Sequence, residues 1–185
     1  MEFLQNIDVT VFYFINNSLA NPVTDAFMKF ITTSKNWIIF YVVMWFYLII
    51  KGGRRGIVAG ILILICILCS DQLSNLLKDT FQRIRPCNVL PHVNLLVGCT
   101  DSYALPSSHA VNNYAGATLF SYFYPNLKFV LFTGAFLVAI SRIFCGVHYP
   151  FDMLAGIAVG ITVGLIIIIL WKLANRRFNI LKEYN

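Results

Sequence analysis

The chain has 185 residues, of which 58% are hydrophobic and only 12% are charged, whereas an average soluble domain carries about 25% charged residues. The apolar residues come in long blocks, so we expect one membrane-embedded domain over residues 1–185 rather than a soluble core. The formal net charge of +6 includes no basic stripe interleaved with aromatic residues, which argues against a nucleic-acid-binding protein.

The segment before the first long apolar block predicts two short amphipathic helices. Apolar residues within 2–19 recur with helical spacing, and the pair Asn21-Pro22 is typical of a helix start that leads into a second amphipathic stretch. We expect both helices to lie in the membrane interface; the alternative is that residues 3–20 cross the membrane as a sixth span. The first residues lack the basic region of a signal peptide, so we expect insertion through uncleaved spans.

Five apolar segments predict transmembrane helices, although the first is short for a bilayer. They cover residues 36–50, 56–77, 106–124, 128–145 and 151–171. The sequence therefore predicts an all-α integral membrane protein with about five transmembrane helices preceded by two amphipathic interfacial helices. Glycine recurs every fourth residue at Gly156, Gly160 and Gly164, which favours close packing within a monomer and leaves a dimer open.

Lys and Arg residues at the ends of these segments predict the orientation. One side of the membrane holds eight of them, namely Lys51, Arg54, Arg55, Lys128, Lys172, Arg176, Arg177 and Lys182. The other side holds six, of which three are assigned below to a binding site. By the positive-inside rule the first side is cytoplasmic, so we expect a cytoplasmic C-terminus and an outward-facing loop over residues 79–105.

Three cationic side chains on the outer side of the membrane and the start of the third span together predict a phosphate site. Lys78, Arg85 and Arg142 are costly at membrane depth unless they serve a function. Arg matches phosphate oxygens in a bidentate fashion, and Lys acts as a point charge. Ser107 and Ser108 open the third span, where free backbone N–H groups attract an anion. The acidic residues on this side are too scattered for a metal clamp, so we expect no metal or other cofactor.

Two histidines and a carboxylate on the same side predict covalent catalysis. His148 is a candidate nucleophile towards phosphorus, and Asp152, four residues later, is placed to fix its tautomer. His109 then serves as the acid that protonates the leaving oxygen. The remaining histidine, His92, lies in the loop and receives no role. Each residue alone is more often an ordinary interfacial side chain, and the prediction rests on their joint occurrence.

Three motifs stand in order along this part of the chain. Lys, six residues and Arg-Pro run from Lys78 to Pro86; Pro-Ser-Ser-His runs from Pro106 to His109; Ser-Arg, five residues, His, three residues and Asp run from Ser141 to Asp152. With them the chain resembles the type 2 phosphatidic acid phosphatase superfamily. Ser108 stands where that family usually has Gly, and it keeps the backbone N–H that this position offers to phosphate. The resemblance implies the roles given above and no requirement for a metal.

The resemblance also implies a lipid phosphate phosphatase that acts on a bacterial envelope lipid through a phosphohistidine. Candidate substrates are undecaprenyl pyrophosphate, lipid A phosphate, phosphatidylglycerol phosphate and phosphatidic acid, and the sequence does not choose among them. We expect a location in the bacterial cytoplasmic membrane, with the active site on its outer face. Two alternatives remain: a lipid phosphotransferase with the same histidine nucleophile, and a non-enzymatic transporter, which would need polar groups through the whole membrane depth.

The outward loop is flanked by two cysteines, Cys87 and Cys99. An oxidising exterior would permit a disulfide between them. Cys145 is a competing partner, whereas Cys66 and Cys69 are expected to pack within the second span.

Overall fold

The computed structural model describes residues 2–181, and every regular element among them is a helix. The α-helices are α1 (Glu2–Tyr13), α2 (Pro22–Thr32), α3 (Ile38–Lys51), α4 (Gly53–Phe81), α5 (Pro86–Val89), α6 (Ser108–Phe123), α7 (Lys128–Phe144) and α8 (Pro150–Phe178). The all-α prediction is therefore confirmed for this part of the chain. Lys182, which the orientation prediction counts, lies outside the described residues.

Apolar length marks three regions of the described chain that are long enough to cross a membrane. They are α4 together with α5, the stretch Pro125–Phe144 that contains α7, and α8. α3 is a shorter apolar helix, and α6 has only 16 residues. The count of five spans stays a prediction.

α6 forms the centre of the bundle, because it packs against α4, α7 and α8. α8 approaches it closely at its glycines. A Cβ on Gly160 would overlap the carbonyl oxygen of Val111, and a Cβ on Gly164 would lie 2.7 Å from Thr118 Cβ. The glycine repeat on α8 therefore packs within the chain, as the sequence predicts.

α2 begins at the predicted position with Asn21 as its cap. The Asn21 side-chain oxygen accepts hydrogen bonds from the N–H groups of Val23 and Thr24 at 3.0 Å each, and Thr24 Oγ1 accepts one from the Asn21 N–H at 3.1 Å. This reciprocal pair is a capping box. Pro22 takes the first helical position, where a missing N–H costs nothing.

α1 buries a mixed face and leaves several apolar side chains exposed. Asp8 and Phe12 are fully buried, whereas Leu4 and Val11 are 56% and 38% exposed. Gln5 and Thr10 are exposed as well, and the interfacial location of this helix stays a prediction. The burial of Asp8 is expected beside lipid, because ionisable side chains there face the bundle interior.

Asn16, in the π-helical turn after α1, ties the opening segment to the end of α7. Its Nδ2 contacts the carbonyl oxygens of Ile143 and Phe144 at 3.2 and 2.9 Å, and that of Asn94 at 2.9 Å. Carbonyls at a helix end have no intrahelical partner, so Asn16 satisfies the Phe144 carbonyl and adds a second contact to that of Ile143, which also accepts the Gly146 N–H at 2.9 Å. The opening segment is thereby fixed beside the α7–α8 junction.

The loop between α4 and α6 contains a disulfide between Cys87 and Cys99. This is the pairing that the sequence permits. The competing partner, Cys145, is free and buried, and so is Cys66, whereas the free Cys69 is exposed on α4.

Candidate active site

The junction between α7 and α8 is buried and tightly turned. Gly146 follows α7 in the left-handed region at φ +78°, which favours glycine. A Cβ at this position would lie 2.6 Å from Val93 Cγ1 and 2.9 Å from the Asn94 carbonyl oxygen. The turn places His148, 1% exposed, between the two helices, and Pro150 then starts α8.

His148 lies between a guanidinium and a carboxylate. Its Nε2 is 3.1 Å from Arg85 Nη1, and its Nδ1 is 3.5 Å from Asp152 Oδ2, longer than an ordinary hydrogen bond. Because a guanidinium only donates hydrogen bonds, Nε2 is the accepting nitrogen and the ring proton sits on Nδ1, beside the carboxylate. This tautomer leaves the lone pair of Nε2 on the side of the cations.

Burial lowers the pKa of His148 well below its ordinary value, and three positive charges lower it further. These charges belong to Arg85, Arg142 and Lys78, while the Ala104 carbonyl acts in the opposite direction. Burial and like charges both disfavour the imidazolium form. The ring is therefore neutral at physiological pH, which is the form that a nucleophile requires.

Arg85 is fixed by the loop before α6 and by the junction before α8. Its Nε donates to the Ser102 carbonyl oxygen at 2.7 Å and its Nη2 to Ser102 Oγ at 2.9 Å. Its Nη1 donates to the Val147 carbonyl oxygen at 3.1 Å. A buried arginine held at three of its nitrogens presents its charge in one direction.

Arg142 and His109 meet at the end of α2. Arg142 Nη1 donates to Thr32 Oγ1 at 2.8 Å, and the His109 ring lies near the backbone of Thr32 and the charge of Arg142. Arg142 Nε is buried and has no partner among the described residues. Sequence reasoning missed Thr32, because a threonine at the end of an amphipathic helix carries no chemical signal.

Ser107 and Ser108 lie at the start of α6 as predicted. The Ser107 N–H donates to the Asp152 carbonyl oxygen at 3.0 Å, whereas its buried hydroxyl has no partner within residues 2–181. Ser108 Oγ lies 2.8 Å from Ser74 Oγ on α4, so the serine at the usual glycine position has a partner for its hydroxyl. Backbone N–H groups in a first helical turn lack intrahelical acceptors and attract anions.

Lys78 completes the cationic side from the last turn of α4. It is 8% exposed. It lines a cleft of about 390 Å³ together with Asn75, Asp79, Asp101, Ser102 and Tyr103. All eight residues predicted from the sequence thus come together at one end of the bundle, whereas His92 lies exposed in the loop.

Two charged residues that sequence reasoning missed lie behind the site. Arg83 Nη1 donates to Asp152 Oδ1 at 2.8 Å, and Arg83 Nη2 donates to Asp8 Oδ2 at 2.6 Å. Asp8 did have a usable signal, because an ionisable residue in an apolar segment is a functional candidate. Arg83 falls between the fixed positions of the first motif, so the motif does not mark it.

Within residues 2–181, no group of three or more His, Cys, Asp or Glu side chains is arranged to hold a metal ion. The carboxylate beside His148, that of Asp152, is bound to Arg83, and so is that of Asp8. The site instead offers cations, a helix start and histidines, a set suited to an anionic phosphate.

Three long apolar helical regions, with buried cations clustered at one end of the bundle, are those of an integral membrane protein. The sequence model of the PAP2 superfamily matches residues 57–176, and the chain belongs to that superfamily. The match includes all eight predicted site residues. It does not include α1, α2 or α3, so Asp8 and Thr32 lie outside it.

The chain is similar to a lipid A 4'-phosphatase of Porphyromonas gingivalis, with 29% identity over 89% of this chain and 72% of the relative. It is also 30% identical to an undecaprenyl-diphosphatase of Sulfolobus acidocaldarius, over 84% of this chain and 75% of the relative. A solved transmembrane PAP2-type phosphatidylglycerolphosphate phosphatase from Bacillus subtilis matches with a TM-score of 0.74 at 22% identity, over 93% of this chain and 88% of that one. That likeness shows the helical membrane fold.

Proposed function

We propose that the protein is a lipid phosphate phosphatase, a hydrolase that acts on phosphate esters or anhydrides at the membrane surface. The superfamily and its phosphatase relatives support this class. The main structural support is a pair of buried polar atoms without partners in the described chain, Ser107 Oγ and Arg142 Nε. A buried unpaired polar group is costly, and a phosphate bound beside Lys78 and Arg85 would satisfy both.

In the proposed reaction, His148 Nε2 attacks phosphorus, so that a P–N bond forms and the P–O bond to the lipid breaks. His109 gives its proton to the leaving oxygen, and Asp152 stabilises the positive ring of phosphorylated His148. Water then attacks the phosphohistidine with His109 as base, the P–N bond breaks, and inorganic phosphate leaves. His109 carries its proton once phosphate fills the pocket, because the phosphate charge offsets the surrounding cations.

Five residues would hold the phosphate oxygens through both steps: Lys78, Arg85, Ser107, Ser108 and Arg142. Fixed cations and backbone N–H groups stabilise the charge that develops in the transition state. We infer that this set takes the place of a metal ion. EDTA should then leave turnover unchanged; inhibition that a divalent ion reverses would contradict this part of the proposal.

We infer that the substrate is a phosphorylated lipid of a bacterial envelope. The candidates are undecaprenyl pyrophosphate, lipid A phosphate, phosphatidylglycerol phosphate and phosphatidic acid. The relatives differ in the lipids that their names specify, so the choice needs measurement. We further propose a cytoplasmic-membrane location, a site on the outer face and a monomeric protein.

The test of this function is phosphate release by the purified protein in detergent, with those four lipids as substrates. At least one lipid should be hydrolysed. His148→Ala should lower that turnover by at least ~1,000-fold, because the variant lacks the nucleophile. Substrate labelled in its phosphate should leave acid-labile label on His148, located by peptide mass spectrometry.

His92→Ala is the matched control, because the His92 side chain is exposed and has no hydrogen bond or ion pair to the eight site residues within residues 2–181. It should retain wild-type turnover. Near-normal turnover by His148→Ala would overturn the mechanism. Release from none of the four lipids would contradict the phosphatase function and favour a transporter, and transfer of label to an acceptor other than water would favour a phosphotransferase.

A further inference from the structure

We propose that Arg83 and Asp8 are positioning residues for the Asp152 carboxylate and that, through it, they control the reactivity of His148. The proposal rests on the function proposed above, because it concerns the same site. Neither residue belongs to the three motifs. Arg83 falls between the fixed positions of the first motif, and Asp8 lies outside the matched residues 57–176.

Three contacts fix the Arg83 guanidinium. Its Nη1 donates to Asp152 Oδ1 at 2.8 Å, and its Nη2 donates to Asp8 Oδ2 at 2.6 Å. Its Cζ lies 4.1 Å from the centre of the Tyr149 ring, and that ring packs against buried Phe12 of α1 with centres 5.6 Å apart. A planar guanidinium held by two carboxylates and one aromatic face has a single orientation.

The same contacts determine where the Asp152 carboxylate points. Oδ1 is bound to Arg83, and Oδ2 accepts the Tyr149 N–H at 2.8 Å. Oδ2 also faces His148 Nδ1 at 3.5 Å. Because Asp152 is fully buried, water does not compete for these positions. The Arg83 contact therefore holds Oδ2 on the side of the histidine.

Asp8 determines the net charge of this group. Arg83 paired with Asp152 alone would form a neutral pair, which would weakly stabilise a positive His148 ring. Asp8 is fully buried and shares the same guanidinium, so the three charges sum to a net negative group. Its other oxygen accepts the Phe151 N–H at 2.9 Å, which anchors Asp8 to the first turn of α8.

Buried charges are a costly way to hold α1 against α8, compared with apolar side chains. Removing the two fully buried carboxylates from water costs several kcal/mol per ion, and the partly buried guanidinium offsets only part of that cost. Apolar side chains of similar volume often stabilise a fold equally well. An apolar contact would therefore suffice to hold α1 against α8. The charged group instead extends from α1 to the carboxylate that faces the nucleophile.

The test compares Arg83→Gln, Arg83→Lys and Asp8→Asn on the lipid that the phosphatase assay identifies. Arg83→Gln should lower kcat by about 10–100-fold, the usual loss when a group that orients a catalytic residue is removed. The inhibition constant for inorganic phosphate should stay unchanged, because Arg83 does not touch the phosphate. Arg83→Lys should recover part of kcat, and Asp8→Asn should lose roughly tenfold.

A double variant separates positioning from independent effects. If Asp8 acts through Arg83, then Asp8→Asn combined with Arg83→Gln should be no slower than Arg83→Gln alone. Asp25→Asn is the matched control for Asp8→Asn. Asp25 also lies in the opening segment, but its carboxylate accepts a hydrogen bond from Asn94 Nδ2 and does not contact Arg83. The Asp25→Asn variant should keep wild-type kcat. Multiplicative losses in the double variant would overturn the proposal.

Nitrogen-15 NMR of histidine-labelled protein reports the state of the His148 ring without a substrate. Wild type should show His148 as the Nδ1–H tautomer. Arg83→Gln should keep this tautomer, because Arg85 still contacts Nε2, but the Nδ1 chemical shift should move, because the carboxylate that faces this N–H is no longer held. An unchanged Nδ1 shift together with a lower melting temperature would make the link purely structural and overturn the proposal. A changed Nδ1 shift in a protein that hydrolyses no lipid would separate failure of the proposed function from failure of this inference.

Discussion

His148 faces more positive than negative charge. Arg85, Arg142 and Lys78 all act on its ring, and Asp152 lies opposite at 3.5 Å. The cations proposed to bind the substrate thus also keep the nucleophile neutral before the substrate arrives. A bound phosphate would offset those charges and allow the ring to become positive as the P–N bond forms.

This coupling predicts the pH dependence of kcat/KM. A lowered pKa keeps His148 neutral as the pH falls. The acidic limb of the profile, where kcat/KM falls because His148 becomes protonated, should therefore lie below the ordinary histidine pKa of 6.5. Arg142→Gln removes one positive charge, raises the pKa of His148 and should move that limb to higher pH, whereas Arg142→Lys should leave it in place. The measurement is kcat/KM against pH on one lipid, so that titration of the substrate is common to all three proteins.

An acidic limb at the same pH in wild type and Arg142→Gln would show that the Arg142 charge does not contribute to the pKa of His148. Burial is the largest cause of the lowered pKa, and Arg85 and Lys78 remain in the variant, so this comparison tests the contribution of Arg142 alone.

The site residues that the sequence identifies are those whose side-chain chemistry is conspicuous in an apolar chain. Lys78, Arg85 and His148 are costly in a membrane and stand at motif spacing, and the structure brings them together. Thr32 and Arg83 could not be found in this way, because no local pattern encodes their contacts. Thr32 joins α2 to Arg142 of α7, and Arg83 joins the segment after α4 to α1 and α8.

At the scale of helices, periodicity predicts which residues of α1 share an apolar face, and Leu4 and Val11 of that face are exposed, as a side towards the membrane would be. It does not predict that α1 buries Asp8 and Phe12. Beside lipid the hydrophobic effect does not drive helices together, so side-chain packing and polar contacts decide which side of α1 meets the bundle. Helix starts were easier to predict, because Asn21 and Pro150 act locally.

The contact between α6 and α8 depends on Gly160. A Cβ there would overlap the Val111 carbonyl oxygen and would lie 3.1 Å from Ala115 N and from Tyr114 Cβ. Because backbone atoms cannot move aside cheaply, Gly160→Ala should destabilise the fold by about 1–3 kcal/mol. Thermal unfolding of the purified protein in detergent measures this as a lower melting temperature.

Gly134→Ala is the control for that substitution, because a Cβ at Gly134 on α7 meets nothing within 4 Å. It should leave the melting temperature unchanged or raise it slightly, since alanine favours a helix by up to about 1 kcal/mol over glycine. Equal melting temperatures for Gly160→Ala and wild type would mean that the two helices separate without cost.

At the scale of the whole molecule, the candidate site combines the region that matches the superfamily with a segment that does not. Residues 57–176 supply the eight predicted site residues. The opening segment adds Thr32 against Arg142 and Asp8 against Arg83. A chain shortened to the matched region would lose both contacts, so the opening segment is part of the site rather than an accessory to it.

Orientation in the membrane decides which pool of lipid phosphate the site can reach. The predicted orientation depends on excluding Lys78, Arg85 and Arg142 from the count of Lys and Arg residues on each side. Their burial in or beside the pocket supports that exclusion, because a buried cation held by protein groups does not report on topology as a free loop charge does. In a Cys69→Ser background, a membrane-impermeant maleimide should therefore label Thr80→Cys in intact cells. It should label Asn126→Cys only after permeabilisation; both positions are exposed, at opposite ends of the bundle. The reverse pattern would place the site in the cytoplasm, and with it the phosphate that the enzyme releases.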